Sequence, residues 1–391
     1  MKREERKKPI PLREVLPKEH AAGSERARLS EKLRPANLSR ETRFLGVDVG
    51  SVTTKIVLTD RCGHIVYEDY IRNEGGPIWA MQEGFRRLAE GGWTDGIRFV
   101  GTTGSGRLLA KVIIGADVVK NEISSHAKAA SFLFPDIGTL IDIGGQDSKI
   151  VFFRDGYPVG FNMNTVCAAG TGSFLDHQAA RLGIPIEEFG DWALRSRTPA
   201  RIAGRCGVFA ESDLIHKQQM GYRKEDLIAG LCAALAANYI TNVARGQKIR
   251  PKVVFQGGVA ANAGIRKALE EKLGLPITVP PHFKVMGAWG AALLARERAL
   301  EEPSRQTAFR GVSRIALSSA QSRGFECSDC ANSCEIQEII VDDRVVARWG
   351  SKCGKWEDLG RRSPLAMEEA SLPHTRQGRR RYAGHILPES R

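Results

Sequence analysis

Nowhere in its 391 residues does the chain hold an apolar run approaching the ~20 residues a membrane-spanning helix needs. It also lacks an apolar signal core, being charged from Lys2 onward. The expected location is therefore the cytoplasm, with no membrane partner. The net charge of +13 is misleading as a nucleic-acid signal: residues 1–43 carry 13 basic against 7 acidic side chains, and residues 361–391 carry 7 against 3. The middle keeps about +3 of that charge, so no nucleic-acid partner is expected. Both ends are rich in Pro, Ser and Arg and read as basic, disordered extensions. Without a signal peptide, the eight cysteines argue for reduced thiols and metal ligands rather than disulfides.

What is present centres on residues 139–172, TLIDIGGQDSKIVFFRDGYPVGFNMNTVCAAGTG. A buried strand, Leu140 to Ile143, ends in a glycine turn and reverses into a second strand, Ser148 to Phe153. Such a turn brings backbone N–H groups and the Asp142 carboxylate against a phosphate and its magnesium. Cys167 follows in a small, glycine-rich run that opens a helix from Ser173 to Leu182, stopped by Gly183. The positive end of a helix dipole suits a thiolate ligand.

Residues 44–60 repeat the first half of this pattern. Asp48-Val49-Gly50 matches Asp142-Ile143-Gly144, and Lys55-Ile56-Val57 matches Lys149-Ile150-Val151, with the same offset of 94 residues. Duplicated hairpins predict two similar subdomains facing each other across a nucleotide cleft. Helices are expected at Trp79 to Glu90 and Asn121 to Phe134, with a strand entering a glycine turn at Phe99 to Gly106. Glu122 and His126, four apart on one helical face, either aim at the cleft or form a capping or surface pair. Residues 184–200 read as a connector, and Cys206 lies between Arg205 and Gly207 in an electropositive setting. Lys224 to Lys248 reads as one long helix with Cys232 on or beside its apolar stripe, whereas Cys62, in a hairpin turn, has no evident partner. The strand before Gly257-Gly258, and the small-residue helix Val285 to Leu294, suit close approach of a flat base.

Taken together, Asp48-x-Gly50-Ser51, Asp142-x-Gly144-Gly145-Gln146-Asp147, Cys167-Ala168-Ala169-Gly170-Thr171-Gly172, Arg205-Cys206-x-x-Phe209 and Gly257-Gly258-Val259-Ala260 resemble the ATP-dependent activators of 2-hydroxyacyl-CoA dehydratases, which are grouped with the ATPase subunits of benzoyl-CoA reductase. The resemblance covers about residues 43 to 297. It implies an α/β fold of the actin, hexokinase and heat-shock-chaperone type, with two duplicated RNase H-like subdomains. It also implies a homodimer sharing one [4Fe-4S] cluster, with Cys167 and Cys206 of each chain as ligands. Asp48 and Asp142 would hold Mg²⁺ on ATP and Gln146 would orient water. Backbone groups of Gly50, Ser51, Gly144 and Gly145 would surround the phosphate oxygens, and Thr53, Lys55, Gly257, Gly258 and Val259 would complete the nucleotide-binding set. ATP hydrolysis would then drive a low-potential electron from a ferredoxin or flavodoxin to a partner dehydratase or reductase with its own Fe–S cluster.

Beyond residue 300 the activator pattern stops. Cys327, Cys330, Cys334 and Cys353, around a short strand pair (Ile339 to Val341 and Val345 to Trp349), predict a bound zinc ion or Fe–S cluster. The segment resembles the start of a domain that follows activator modules in larger fused proteins. The expected division is thus a basic extension (1–43), ATPase subdomains (44–137 and 138–300), a four-cysteine segment (301–360) and a basic tail (361–391). Two other functions share this fold or need only its nucleotide site. A small-molecule kinase needs a carboxylate base beside a substrate hydroxyl but has no use for Cys167 or Cys206. A nucleotide-dependent scaffold would bind ATP without hydrolysing it.

Overall fold

The structure, a computed structural model, describes residues 38–74, 76–164, 170–204 and 206–360. The expectations for both basic extensions outside these bounds, for Cys167 and its neighbours 165–169, and for Arg205 lie outside the described residues. The chain divides into two units, Met1–Ser318 and Ser319–Arg391.

The first unit contains two five-stranded sheets of one design. In the first, β1 (Arg43–Val49), β2 (Thr53–Thr59) and β3 (Ile65–Arg72) form an antiparallel meander, and β4 (Ile97–Thr103) and β5 (Val118–Val119) add parallel strands in the order β3-β2-β1-β4-β5. In the second, β6 (Thr139–Ile143), β7 (Ser148–Arg154) and β8 (Tyr157–Asn164) form the meander, and β9 (Val253–Gln256) and β10 (Ile277–Thr278) extend it in the order β8-β7-β6-β9-β10. The central strands β1 and β6 are buried nearly end to end, as strands covered on both faces must be. This duplicated α/β architecture is the one the sequence resemblance implies.

Helices α1 (Pro77–Glu90), α2 (Arg107–Ile114) and α3 (Glu122–Leu133) cross the first half. Pro77 opens α1 where its missing N–H costs nothing, and the Asn121 side chain caps α3 by accepting from the Ser124 N–H at 2.8 Å. The second half holds α4 (Gly172–Leu182), α5 (Phe189–Leu194), α6 (Gly207–Gln219), α7 (Lys224–Asn242) and α8 (Ala263–Leu273). Left-handed glycines stop α4 at Gly183 and α8 at Gly274.

Helix α9 (Met286–Glu301) follows the second sheet in the chain but packs on β1, β2, β4 and α3 of the first half. Small residues make this possible. A Cβ built at Gly46 would stand 1.8 Å from the Ala288 carbonyl oxygen, and one at Gly290 would stand 1.7 Å from that of Ser125. Together α3 and α9 fill the space between the sheets, where Ala127, Ala130, Met286 and Trp289 meet Val57 of the first and Leu140, Val151 and Val254 of the second.

Several boundaries differ from the sequence reading. The connector at 184–200 contains α5, and α7 ends at Asn242 rather than Lys248, shortly before Gly246 adopts a left-handed φ of 78°. Residues 301–318 belong to the first unit: α10 (Val312–Leu317) packs on α1, and the Arg310 N–H bonds the Ile114 carbonyl at 3.1 Å. The second unit is a three-stranded antiparallel sheet of β11 (Ala320–Glu326), β12 (Glu335–Val341) and β13 (Arg344–Trp349). Its centre is Glu338, fully buried between Arg323 and Arg348 at 2.7 Å each.

Candidate nucleotide site

Between the two meander turns lies a cleft of about 560 Å³. The structure brings the twelve sequence-predicted nucleotide-site residues together on its walls: Asp48, Gly50, Ser51, Thr53 and Lys55 from the first turn, Asp142, Gly144, Gly145 and Gln146 from the second, and Gly257, Gly258 and Val259 after β9. Sheet register explains the convergence. Asp48 pairs across its hairpin with Lys55, and Asp142 pairs with Lys149, so each acid ends its central strand opposite a lysine.

Both acids are buried, and each contacts its lysine, Asp48 to Lys55 at 3.2 Å and Asp142 to Lys149 at 3.6 Å. The surroundings are not equal. Lys149 also meets Glu122 at 2.7 Å and Asp147 at 2.6 Å. Burial pulls Lys149 down, but the carboxylates of Asp142, Glu122 and Asp147 outweigh it and hold the ammonium well above its usual value. Lys55 is raised in the same way, with Asp48 overcoming burial. Burial pushes Asp142 up, yet the His126 imidazole and the Lys149 and Lys55 ammoniums hold it below the ordinary carboxylate range. An ionised Asp142 results. Its buried Oδ1 has no hydrogen-bond partner, which fits a carboxylate whose missing partner is a cation.

The turns differ from the sequence expectation in one respect. The Gly50 and Gly144 N–H groups close their own turns on the carbonyls of Thr53 (2.9 Å) and Asp147 (3.0 Å). Among the described residues, no backbone acceptor takes the N–H of Ser51 or Val52 in the first turn or of Gly145, Gln146 or Asp147 in the second, so the sequence-predicted Ser51 and Gly145 are among the donors left for an anion. Asn73 braces the first turn, donating Nδ2 to the Gly50 carbonyl at 2.9 Å and accepting from Thr54 Oγ1 at 2.8 Å.

A second internal correspondence escaped the sequence reading. Gly104 follows β4 at φ 94°, and a Cβ there would meet the Val49 carbonyl at 2.2 Å and Asp48 Oδ1 at 2.6 Å. Gly257 follows β9 at φ 87°, and a Cβ there would meet the Ile143 carbonyl at 2.4 Å and Asp142 Oδ1 at 2.9 Å. Each acid is therefore backed by a left-handed glycine from the neighbouring parallel strand. His126 does aim at the cleft: its Nδ1 lies 3.8 Å from Asp142 Oδ1 and contacts the side chain of Gln256. A Cβ on Gly287, at the start of α9, would stand 2.7 Å from Asp48 Oδ2 and 3.1 Å from His126 Nε2, so the imidazole lies near both acids.

Helix α4 is tied directly to the second turn. The N–H groups of Gly172 and Ser173 donate to the carbonyls of Gly144 (2.8 Å) and Gly145 (2.9 Å). Cys206 is half-buried and occupies the N-cap of α6, whose next turn exposes Val208 and Phe209. Cys232 is core: burial pushes its thiol up to about 12.

In the second unit Cys327 and Cys334 share a backbone hydrogen bond of 2.8 Å and pack with Ile336 and Trp356, while Cys330 and Cys353 are exposed. Among the described residues, these four cysteines supply no three ligand atoms mutually within 4.8 Å.

Comparison with known proteins agrees with this geometry. The model of the BadF/BadG/BcrA/BcrD ATPase family matches residues 45–295. The (R)-2-hydroxyglutaryl-CoA dehydratase activating ATPase of Acidaminococcus fermentans is 37% identical over 258 residues, 65% of this chain and 97% of its own length. The 2-hydroxyisocaproyl-CoA dehydratase activator of Clostridioides difficile is 33% identical over 261 residues, 66% of this chain and 96% of its own. The solved structure of the Clostridium difficile activator with bound ADPNP superposes with a TM-score of 0.61 at 32% identity, covering 67% of this chain and 97% of that one.

Proposed function

Since the chain belongs to the BadF/BadG/BcrA/BcrD ATPase family, we propose that it is the ATP-hydrolysing activator of a 2-hydroxyacyl-CoA dehydratase or a related reductase, and that hydrolysis drives electron transfer from a ferredoxin or flavodoxin to that partner. The observation that carries this reading is the pair of buried acids, Asp48 and Asp142, at equivalent ends of two duplicated hairpins in one cleft.

The orphaned Asp142 Oδ1, with Asp48 lining the same cleft, fits Mg²⁺, which would neutralise phosphate charge there. The chain's own residues do the rest. The Lys149 and Lys55 ammoniums help to keep Asp142 ionised, and the Ser51 and Gly145 N–H groups would donate to the phosphate oxygens. Gln146, exposed at the turn, orients water, while Gly257, Gly258 and Val259 admit the base. The hydrogen bonds from Gly172 and Ser173 make α4 respond to any movement of the phosphate turn.

Cys206, half-exposed at a helix start, fits a cluster thiolate. A cysteine-held [4Fe-4S] cluster needs four thiolates, so Cys167 and Cys206 from each of two chains would hold it, and it would supply the low-potential electron. The four cysteines of the second unit are proposed as a separate zinc or Fe–S site.

The test is iron and acid-labile sulfide per dimer on anaerobically purified full-length protein, beside Cys167→Ser and Cys206→Ser. Each substitution should remove the bridging cluster and leave ADPNP binding intact. Variants that keep the wild-type iron content and EPR signal would refute the ligand assignment; loss of iron with unchanged ATP-driven reduction of the partner would refute the electron-transfer role.

A further inference from the structure

The turn between β2 and β3 carries chemistry that the ATPase reading does not use. Among the described residues, Asp60, Cys62 and His64 form the one group of three possible metal ligands whose donor atoms all lie within 4.8 Å of one another. We propose that this turn is a solvent-accessible binding site for a divalent transition metal of the zinc class, with Asp60, Cys62 and His64 as ligands and one coordination position open to water.

The equivalent hairpin in the second half shows that the fold does not require these residues. There, β7 and β8 are joined by two residues, Asp155 and Gly156, at φ 53° and 76°. The first hairpin spends five residues, Asp60 to His64, on the same reversal. Positions 94 further on from the three ligands hold Arg154, Gly156 and Pro158, none of which binds metal through its side chain. The longer turn thus differs from its counterpart by both added length and a complete donor set.

The turn is also rigid before any ion arrives. Asp60 Oδ1 accepts the N–H groups of Cys62 (2.8 Å) and His64 (2.9 Å), and the Asp60 N–H bonds the His64 carbonyl at 2.9 Å. From α9, Trp289 Nε1 donates to the Gly63 carbonyl at 2.8 Å, and Arg296 Nε donates to the Arg61 carbonyl at 2.7 Å. Gly63 holds φ 95°, where a Cβ would strike Leu293 Cδ2 at 2.6 Å. These bonds leave Asp60 Oδ2 facing His64 Nδ1 at 3.4 Å, with the imidazole 71% exposed.

The thiolate is soft, the imidazole borderline and the carboxylate hard, a mixed set that zinc accepts, and carboxylate, thiolate and neutral imidazole together balance a divalent charge. Bonds of ~2.0–2.3 Å imply tetrahedral edges of about 3.3–3.8 Å, so closure needs shifts of about 1 Å. The site stands apart from the cleft. The seven residues of β2 separate it from the Gly50 turn by about 20 Å, and a metal here does not compete with the nucleotide's cation.

Full-length protein, kept reduced and passed over a chelating resin, is titrated with Co²⁺ and then Zn²⁺ beside Cys62→Ser and His64→Ala. The expected result is one equivalent less metal in each variant, loss of the sulfur-to-cobalt charge-transfer contribution of this site in Cys62→Ser, and unchanged ATPase activity. Equal stoichiometry and identical cobalt spectra in all three proteins would overturn the proposal. A measurement on the unmutated chain stands beside it: Zn²⁺ should slow iodoacetamide alkylation of Cys62, followed by peptide mass spectrometry, and an unaltered rate would count against the site.

Discussion

Asp142 and Lys149 face each other across the β6–β7 hairpin with carboxylate and ammonium 3.6 Å apart, both almost wholly buried. The pair stands at the centre of a small ionic cluster, so its two members have different sensitivities. Asp142→Asn keeps the volume and removes the charge proposed to hold the phosphate-bound cation. ATP hydrolysis should fall about 100-fold or more, measured as phosphate release, while the circular dichroism spectrum is retained.

Lys149→Met should act on the fold instead. Without the ammonium, Glu122, Asp142 and Asp147 remain close together with one buried charge uncompensated. Removing one partner of a buried ion pair costs about 3–5 kcal/mol. Urea denaturation should show a loss of that size, and a midpoint equal to wild type would show that the cluster relaxes at no cost.

The glycines behind the acids separate steric from conformational effects. Gly104→Ala and Gly257→Ala each force a left-handed alanine against a backbone carbonyl and the carboxylate of Asp48 or Asp142. Each should lower stability by about 1–3 kcal/mol and depress ATP turnover together with it. Gly274→Ala is the control: its φ is 64° with nothing within 4 Å, so it should cost about 1 kcal/mol without touching turnover.

In the second unit Glu338 titrates against two arginines. Burial raises its carboxyl, but hydrogen bonds from Arg323 and Arg348 outweigh that and hold it below its usual value. A carboxyl depressed by folding contributes stability that is complete above its unfolded value of about 4.3 and is lost as pH falls through the lower folded value. Glu338→Gln should therefore destabilise this unit by about 3–5 kcal/mol at neutral pH. The gap to wild type should stay constant down to about pH 5 and close only in stronger acid, as followed by Trp356 fluorescence.

The sequence made the duplicated hairpins legible because Asp48-x-Gly50 and Asp142-x-Gly144 are local motifs in one register. The correspondence of Gly104 with Gly257 was not legible, since α4 to α7 intervene only in the second half and destroy the common offset. Lys149 was visible as a repeat match, but its partners Glu122 and Asp147 come from α3 and a turn, which only the folded chain brings together. Helix α5 was missed because six residues give too little periodicity. Strand β11, AQSRGFE, is mostly polar, and its place is set by pairing along the whole of β12 rather than by its own composition.

The packing of α9 on the first sheet also fixes an order of assembly during synthesis. Phe44, Phe99 and Val118 are covered by Ala292, Ala295 and Ala299, residues the ribosome adds roughly 175 to 250 positions later. The half of the ATPase that is made first is therefore completed last. Until residue 301 has emerged, one face of its sheet stays open to water and to other nascent chains, which makes the early chain a natural client for chaperones.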